Sequence, residues 1–222
     1  MFAVLGTVLF VGGVAGAMDK VQVTPDGTAY RIHSSAGIVT VTAPRTTGGN
    51  NREFFWTPKK PAEASITVCA TFGSGEGIDQ QGVVLRLNHA YGDTTGITVT
   101  RNIYFSVFNF FNFHVWNTDA DPSVPYTQFG SVGLTWLPKG PALYPINLCA
   151  RSVTATNEVQ FIVWTPGQSR PPWGSTTSGG EATIPKNAPR WGQGGFFAGH
   201  LVAGTSMTYK NLTVNGATPA GL

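Results

Sequence analysis

The sequence predicts an all-β protein, a two-sheet antiparallel sandwich of the jelly-roll type, and three observations carry that prediction. About a dozen short runs rich in Val, Ile, Thr, Phe and Tyr are separated by Gly, Pro, Asn and Asp signals at close spacing. No apolar repeat of helical period runs beyond about two turns anywhere in the chain. The 222 residues, 41% of them hydrophobic, suffice for one sizeable core, while 28 Gly and 15 Pro supply turns. Such a length suits one large β domain better than two small ones.

The first seventeen residues, MFAVLGTVLFVGGVAGA, carry no charge and end in Ala15-Gly16-Ala17. They read as an export signal cleaved before Met18. The first Lys is Lys20, so a positive region is missing, which leaves a signal that begins further upstream or a retained N-terminal anchor. The domain proper is then 18–222, and the expected location is secreted or in the cell envelope.

Val21 to Arg45 alternates short strands with turns at Pro25-Asp26-Gly27 and Ser35-Ala36-Gly37, a pattern of edge strands. A polar connection, Thr46 to Arg52, leads to Phe54, Phe55 and Trp56, which stop before Pro58. Strands follow around Cys69, at Val83 to Asn88, and at Ile97 to Asn102, with a loop from Gly73 to Gly82 that is rich in Gly and acids. Asn102 to Trp116, NIYFSVFNFFNFHVW, has eight aromatic or His residues among fifteen and neither Pro nor Gly, so it reads as one or two long strands. Alternation puts Phe111 and Phe113 on one side and Tyr104, Phe108, Phe110, His114 and Trp116 on the other. The first side suits a core, and the second, with a hydroxyl, an imidazole and an indole, suits a wetter surface that meets a ligand.

After Trp116 the stretch to Gly130 reads as a loop, and 138–145 as a Pro-rich crossing. The strand around Cys149 pairs with Glu158 to Trp164 through a turn at Thr154 to Asn157. Residues 166–195 show no periodicity and hold Trp173 and Trp191; a loop so long in a compact domain is functional or disordered. The chain ends in strand pattern, Met207 and Tyr209 on one parity and Leu212 and Val214 following after a bulge near Asn211.

Two cysteines in an exported chain favour a disulfide over a metal or nucleophile role. Cys69 and Cys149 both fall on the polar parity of their strands, where neighbouring strands could join them; the alternative is two separate buried thiols. ITVCATF and, after a long crossing, YPINLCARSVTATNEVQFIVWTPG resemble the paired-cysteine strands of pentraxins and laminin-G-like domains. SMTYKNLTVNG similarly resembles the last strand of concanavalin A-like lectins and glucanases. The resemblance, over Ile66 to Gly216, implies a concanavalin A-like sandwich in which the two cysteine strands are bonded.

Charge limits the partners. Only 11% of residues are charged and the net charge of +3 is scattered, so no nucleic-acid footprint is expected. Glycoside hydrolysis needs two carboxylates about 5–10 Å apart. The E-x-D-x-x-E strand motif of related glucanases is absent, and Glu76 with Asp79, in a Gly-rich loop, is the nearest approach to a catalytic pair. Lectins and pentraxins that the chain resembles hold Ca²⁺ with clustered Asp, Asn and Glu, for which Asn117, Asp119 and Asp121 are the candidates; no other cofactor is expected. The four His lack the close spacing of a zinc site, and no G-x-S-x-G elbow exists. What remains is a stacking and hydrogen-bonding surface for sugars, drawn from Arg86, Asn88, Tyr104, His114, Trp116, Trp173 and Trp191. The expected function is an exported, lectin-like module that binds a glycan or polysaccharide without catalysis. The alternatives are a glycoside hydrolase or polysaccharide lyase whose acids come from loops, and a structural or adhesive surface protein.

Overall fold

The computed structural model describes residues 18–57, 61–73, 79–102, 109–120, 123–137 and 145–219. They form fourteen strands and no helix. In chain order these are β1 Asp19–Thr24, β2 Arg31–Ser35, β3 Ile38–Thr42, β4 Arg52–Trp56, β5 Thr67–Phe72, β6 Gln80–Ala90 and β7 Asp93–Asn102. There follow β8 Asn109–Asn117, β9 Tyr126–Leu134, β10 Ile146–Val153, β11 Glu158–Trp164, β12 Gly179–Thr183, β13 Gln193–Gly199 and β14 Ser206–Val214. Two seven-stranded sheets result, ordered β1-β4-β13-β6-β7-β8-β9 and β12-β11-β10-β5-β14-β3-β2, with every pairing between strands antiparallel.

Alternation along each strand builds the core between the sheets. Phe55, Val83, Leu85, Ile97, Val99, Phe111, Phe113, Val115 and Phe196 of the first sheet meet Val41, Val68, Phe72, Leu148, Phe161, Met207 and Tyr209 of the second. Ring contacts cross the gap: Phe111 stacks on Phe161 at 4.9 Å, and Phe55 meets Tyr209 edge-on at 5.2 Å. Each such aromatic contributes about 1.5–3 kcal/mol through burial. At Gly194 a Cβ would lie 2.8 Å from both Val68 Cγ2 and Val214 Cγ1, so only glycine permits the close approach of the sheets there.

The expected bulge in the last strand is present. Its register shifts between Lys210 and Thr213, with Asn211 at φ 51°, which returns Leu212 and Val214 to the core face that Met207 and Tyr209 occupy. Cys69 and Cys149 lie directly opposite each other on β5 and β10, Cα atoms 4.1 Å apart, and form a disulfide on the outer side of the second sheet. Of the expected edge strands, β1 and β2 are edges, whereas β3 lies one position in.

Two stretches read as loops are strands instead. The chain after Trp116 contains β9, and 166–195 contains β12; each is the edge of its sheet. Edge strands with one face open to water tolerate Gly, Ser and Glu, so Gly130, Gly133, Gly179 and Gly180 hide their pattern from a search for apolar alternation. The strand at Val83 also begins earlier, at Gln80, and the aromatic run is not one strand, because β7 and β8 pair antiparallel with Asn102 opposite Phe110.

Candidate ligand-binding cavity

The outer face of the first sheet carries a second, smaller apolar cluster of Val23, Phe54, Trp56, Val84, Leu87, Trp116 and Phe197. A cavity of about 400 Å³ lies on this face, lined by Arg52, Gln80, Asn102, Asn112, His114, Trp116, Tyr126, Gln128, Phe197 and His200. Strand alternation places them. Phe111, Phe113 and Val115 of β8 point into the core, so Asn112, His114 and Trp116 point to the cavity. On β9, Tyr126 and Gln128 stand directly across from Trp116 and His114. From β4, Arg52 lies on the same parity as Phe54, and Phe197 is supplied by β13.

Trp116 is the seat of the cavity more than a platform in it. Only 1% exposed, its indole packs against Phe54 at 5.3 Å, Tyr126 at 4.8 Å and Phe197 at 5.9 Å, and Nε1 donates to Thr98 Oγ1 at 2.9 Å. Gly96 is its cross-strand partner, and a Cβ there would press on Val84 at 3.0 Å, so glycine leaves the rings their room. Tyr126 is half-buried and presents the more accessible ring.

The polar wall is ordered by its own contacts. The Arg52 guanidinium lies 5.2 Å from the centre of the Tyr126 ring, and Nη1 donates to Asn50 Oδ1 at 3.0 Å. Asn112 Oδ1 accepts from Ser131 Oγ at 2.8 Å. Burial pushes the His114 imidazole down to about 4, the Arg52 charge acts in the same direction, and a hydrogen bond with Gln128 opposes both. His114 Nδ1 is buried without a hydrogen-bond partner among the described residues. His200 is likewise lowered by burial and then by Arg52, and its Nδ1 donates to the Gly49 carbonyl at 2.7 Å. The rings are therefore neutral near pH 7, and among the described residues the wall offers one fixed cation, several amides and a bare imidazole nitrogen.

Of the residues singled out in the sequence, His114 and Trp116 reach this cavity. Arg86 and Asn88 do not line it. Arg86 occupies a bulge of β6 at φ 51°, with Nε donating to Ala64 O at 2.8 Å and Nη1 to Pro189 O at 3.2 Å. Asn88 Nδ2 donates to the Trp191 carbonyl at 2.7 Å, and Trp191 is half exposed. Trp173 lies at the other sheet, with the guanidinium of Arg151 4.3 Å and that of Arg170 5.1 Å from its ring centre. Asp79 is buried and accepts from Val202 N at 3.3 Å. Asn117 Oδ1 accepts from Asp119 N at 3.1 Å, which is the bonding of a polar turn. Among the described residues no group of three His, Cys, Asp or Glu side chains is placed to hold a metal ion. Glu76, Tyr104 and Asp121 lie outside the described residues.

Sequence reading did not name Gln80, Asn102, Asn112, Phe197 or His200 as candidates, and it missed Arg52, Tyr126 and Gln128. The available signals were the Arg that heads REFFW and the alternation of Tyr126 with Gln128 in YTQ, opposite the His114 and Trp116 parity.

No family model matches the chain, and no curated protein matches it in sequence. Among solved structures it is similar to the carbohydrate-binding module CBM66 from Bacillus subtilis, at 10% identity over 91% of this chain and 96% of that one, with a TM-score of 0.52. It is also similar to a legume lectin-like domain from Entamoeba histolytica, at 11% identity over 92% of each chain and a TM-score of 0.53. Lotus tetragonolobus seed lectin matches at 8% identity over 92% of this chain and 95% of its own, with a TM-score of 0.51. At such identities the likeness speaks for the fold. The chain therefore has the concanavalin A-like jelly-roll fold, with its cavity on the outer face of the first seven-stranded sheet.

Proposed function

We propose that the chain is a carbohydrate-binding, lectin-like module and that the cavity on the first sheet is its saccharide site. The observation that carries this reading is the mixture of groups around one cavity: the rings of Tyr126, His114 and Trp116, with the amides of Asn102, Asn112 and Gln128. Aromatic faces pack on the apolar C–H faces of a sugar, while amides and imidazole bond its hydroxyls. A volume of about 400 Å³ falls within the usual range of small-ligand pockets. Similarity to structures described as a carbohydrate-binding module and as lectins supports the ligand class by analogy. Glycoside hydrolysis by a carboxylate pair is less well supported, because no Asp or Glu is among the described residues that line the cavity. The disulfide supports an oxidising compartment, and with it the export reading of the first seventeen residues.

The test is a glycan and polysaccharide panel read for bound ligand and for released reducing ends, with the purified full chain and its Tyr126→Ala and Gln128→Ala variants. Binding without release, lost in either variant while that variant stays folded at the titration temperature, supports the module. Released ends overturn the non-catalytic reading, and a panel without any bound glycan overturns the saccharide site.

A further inference from the structure

The wall of the cavity is electrically lopsided. Arg52 is 9% exposed, and of the ten described residues around the space it is the one that carries a fixed charge, since no acid is among them and both imidazoles are held neutral. The acids that neighbour lining residues along the chain face elsewhere. Glu53 follows Arg52 on the opposite parity, buried, and accepts from the Tyr30 backbone N–H and from Asn51 Nδ2. Asp79 precedes Gln80 and is buried against Val202 N. Alternation has thus put the carboxylates behind the sheet and the guanidinium in front of it.

The guanidinium has five N–H donors in a planar fork. One Nη is bonded to Asn50 Oδ1, and the group lies beside the Tyr126 ring at the cavity wall. A neutral sugar closing over Arg52 would strip its remaining water without supplying a counter-charge, a cost that an ionic ligand repays by charge-assisted, bidentate bonds. His114 Nδ1, buried at the same wall without a hydrogen-bond partner among the described residues, offers an acceptor to an adjacent hydroxyl of the same ring.

We propose that the saccharide taken by this cavity is acidic, its carboxylate or sulfate paired with the Arg52 guanidinium and a neighbouring hydroxyl bonded to His114. The proposal rests on the saccharide reading of the cavity and goes beyond it by naming the ligand class.

The experiment is calorimetric titration of the full chain with galacturonate, glucuronate and mannuronate oligosaccharides, each beside its carboxyl-reduced neutral counterpart, and with a sulfated galactan oligosaccharide beside the unsulfated one. At least one acidic member is expected to bind about tenfold or more tighter than its neutral counterpart, with an affinity that falls as salt rises. Preference among the uronates or for the sulfated galactan assigns the carboxylate or the sulfate. In Arg52→Gln the preference is expected to vanish. Arg52→Lys, which keeps the charge without the fork, is expected to retain part of it and covers the case in which the Gln variant fails to fold. Neutral members that bind as tightly as acidic ones, or a preference intact in Arg52→Gln, overturn the acidic ligand and leave a saccharide site standing. Failure of every glycan, neutral or acidic, takes the saccharide site with it.

Discussion

Trp116 Nε1 donates to Thr98 Oγ1 across the β7–β8 pair, and this bond fixes the indole beneath the cavity, its ring edge-on to Phe54. The relationship separates two aromatic residues that a sequence would rank alike. Trp116→Ala is expected to lose about 3–5 kcal/mol of stability, because it opens a void among buried rings and leaves the Thr98 hydroxyl without its donor. Tyr126→Ala, at a half-buried position, is expected to cost about 1 kcal/mol and to abolish glycan binding. Urea denaturation and glycan titration of both variants decide the matter; a Trp116→Ala protein as stable as the parent refutes the seat.

The Cys69–Cys149 bond closes a loop of 80 residues between adjacent strands of the second sheet. In the chain-entropy account such a loop is worth about 4 kcal/mol. The double variant Cys69→Ala/Cys149→Ala is expected to lose stability of that order, seen as a lower Tm. Below its new Tm it is expected to bind glycans like the parent, because the cavity is on the other sheet. Loss of binding in a fully folded double variant would show that the sheets are coupled.

The strands that face the core on one side and water or the cavity on the other were legible, because their parity is written in the residues. ITVCATF and YPINLCARS each alternate, which supported joining the cysteines across neighbouring strands, and the switch of parity within SMTYKNLTV marked the Asn211 bulge. Two of the ten described residues around the cavity, His114 and Trp116, could be read for the same reason, from the non-core parity of β8. Others could not. Tyr126 and Gln128 belong to an edge strand whose inward positions include Gly130, so no apolar alternation marks it, and Arg52 is joined to them only by the strand order β4-β13-β6-β7-β8-β9. Cross-strand neighbours far apart in sequence are set by topology, which residue types do not encode locally. Arg86 misled for another reason: its positive-φ bulge breaks the alternation on which its assignment to the polar face depended.

That bulge gives Arg86 a different task. Its guanidinium bonds the carbonyls of Ala64 and Pro189, tying two connections to β6, and burial lowers its pKa. Arg86→Met retains much of the stem and removes both bonds. The variant is expected to lose about 1–3 kcal/mol of stability with glycan affinity unchanged. Measured Tm and titration together check this; weakened binding at unchanged stability would return Arg86 to the site.

His114 makes stability depend on pH in a defined window. The unfolded chain takes up this proton near the ordinary imidazole value of 6.5, whereas burial and Arg52 hold the folded state's uptake down to about 4. Between those values the unfolded state binds more protons, so stability falls as pH drops from 6.5 towards 4, and above that window this group adds no slope. The full loss is about 3 kcal/mol, from 1.36 kcal/mol for each pH unit of displacement. His200 acts in the same sense, since its pKa is lowered too, while buried Glu53, whose pKa is raised, acts in the opposite one. The contribution of His114 is therefore read as a difference. Urea denaturation of the parent and of His114→Asn, near neutral pH and again near pH 4, is expected to show the parent losing about 3 kcal/mol more than the variant across the window. Equal losses would mean that the ring takes its proton at the ordinary value and that water reaches it freely at the cavity wall.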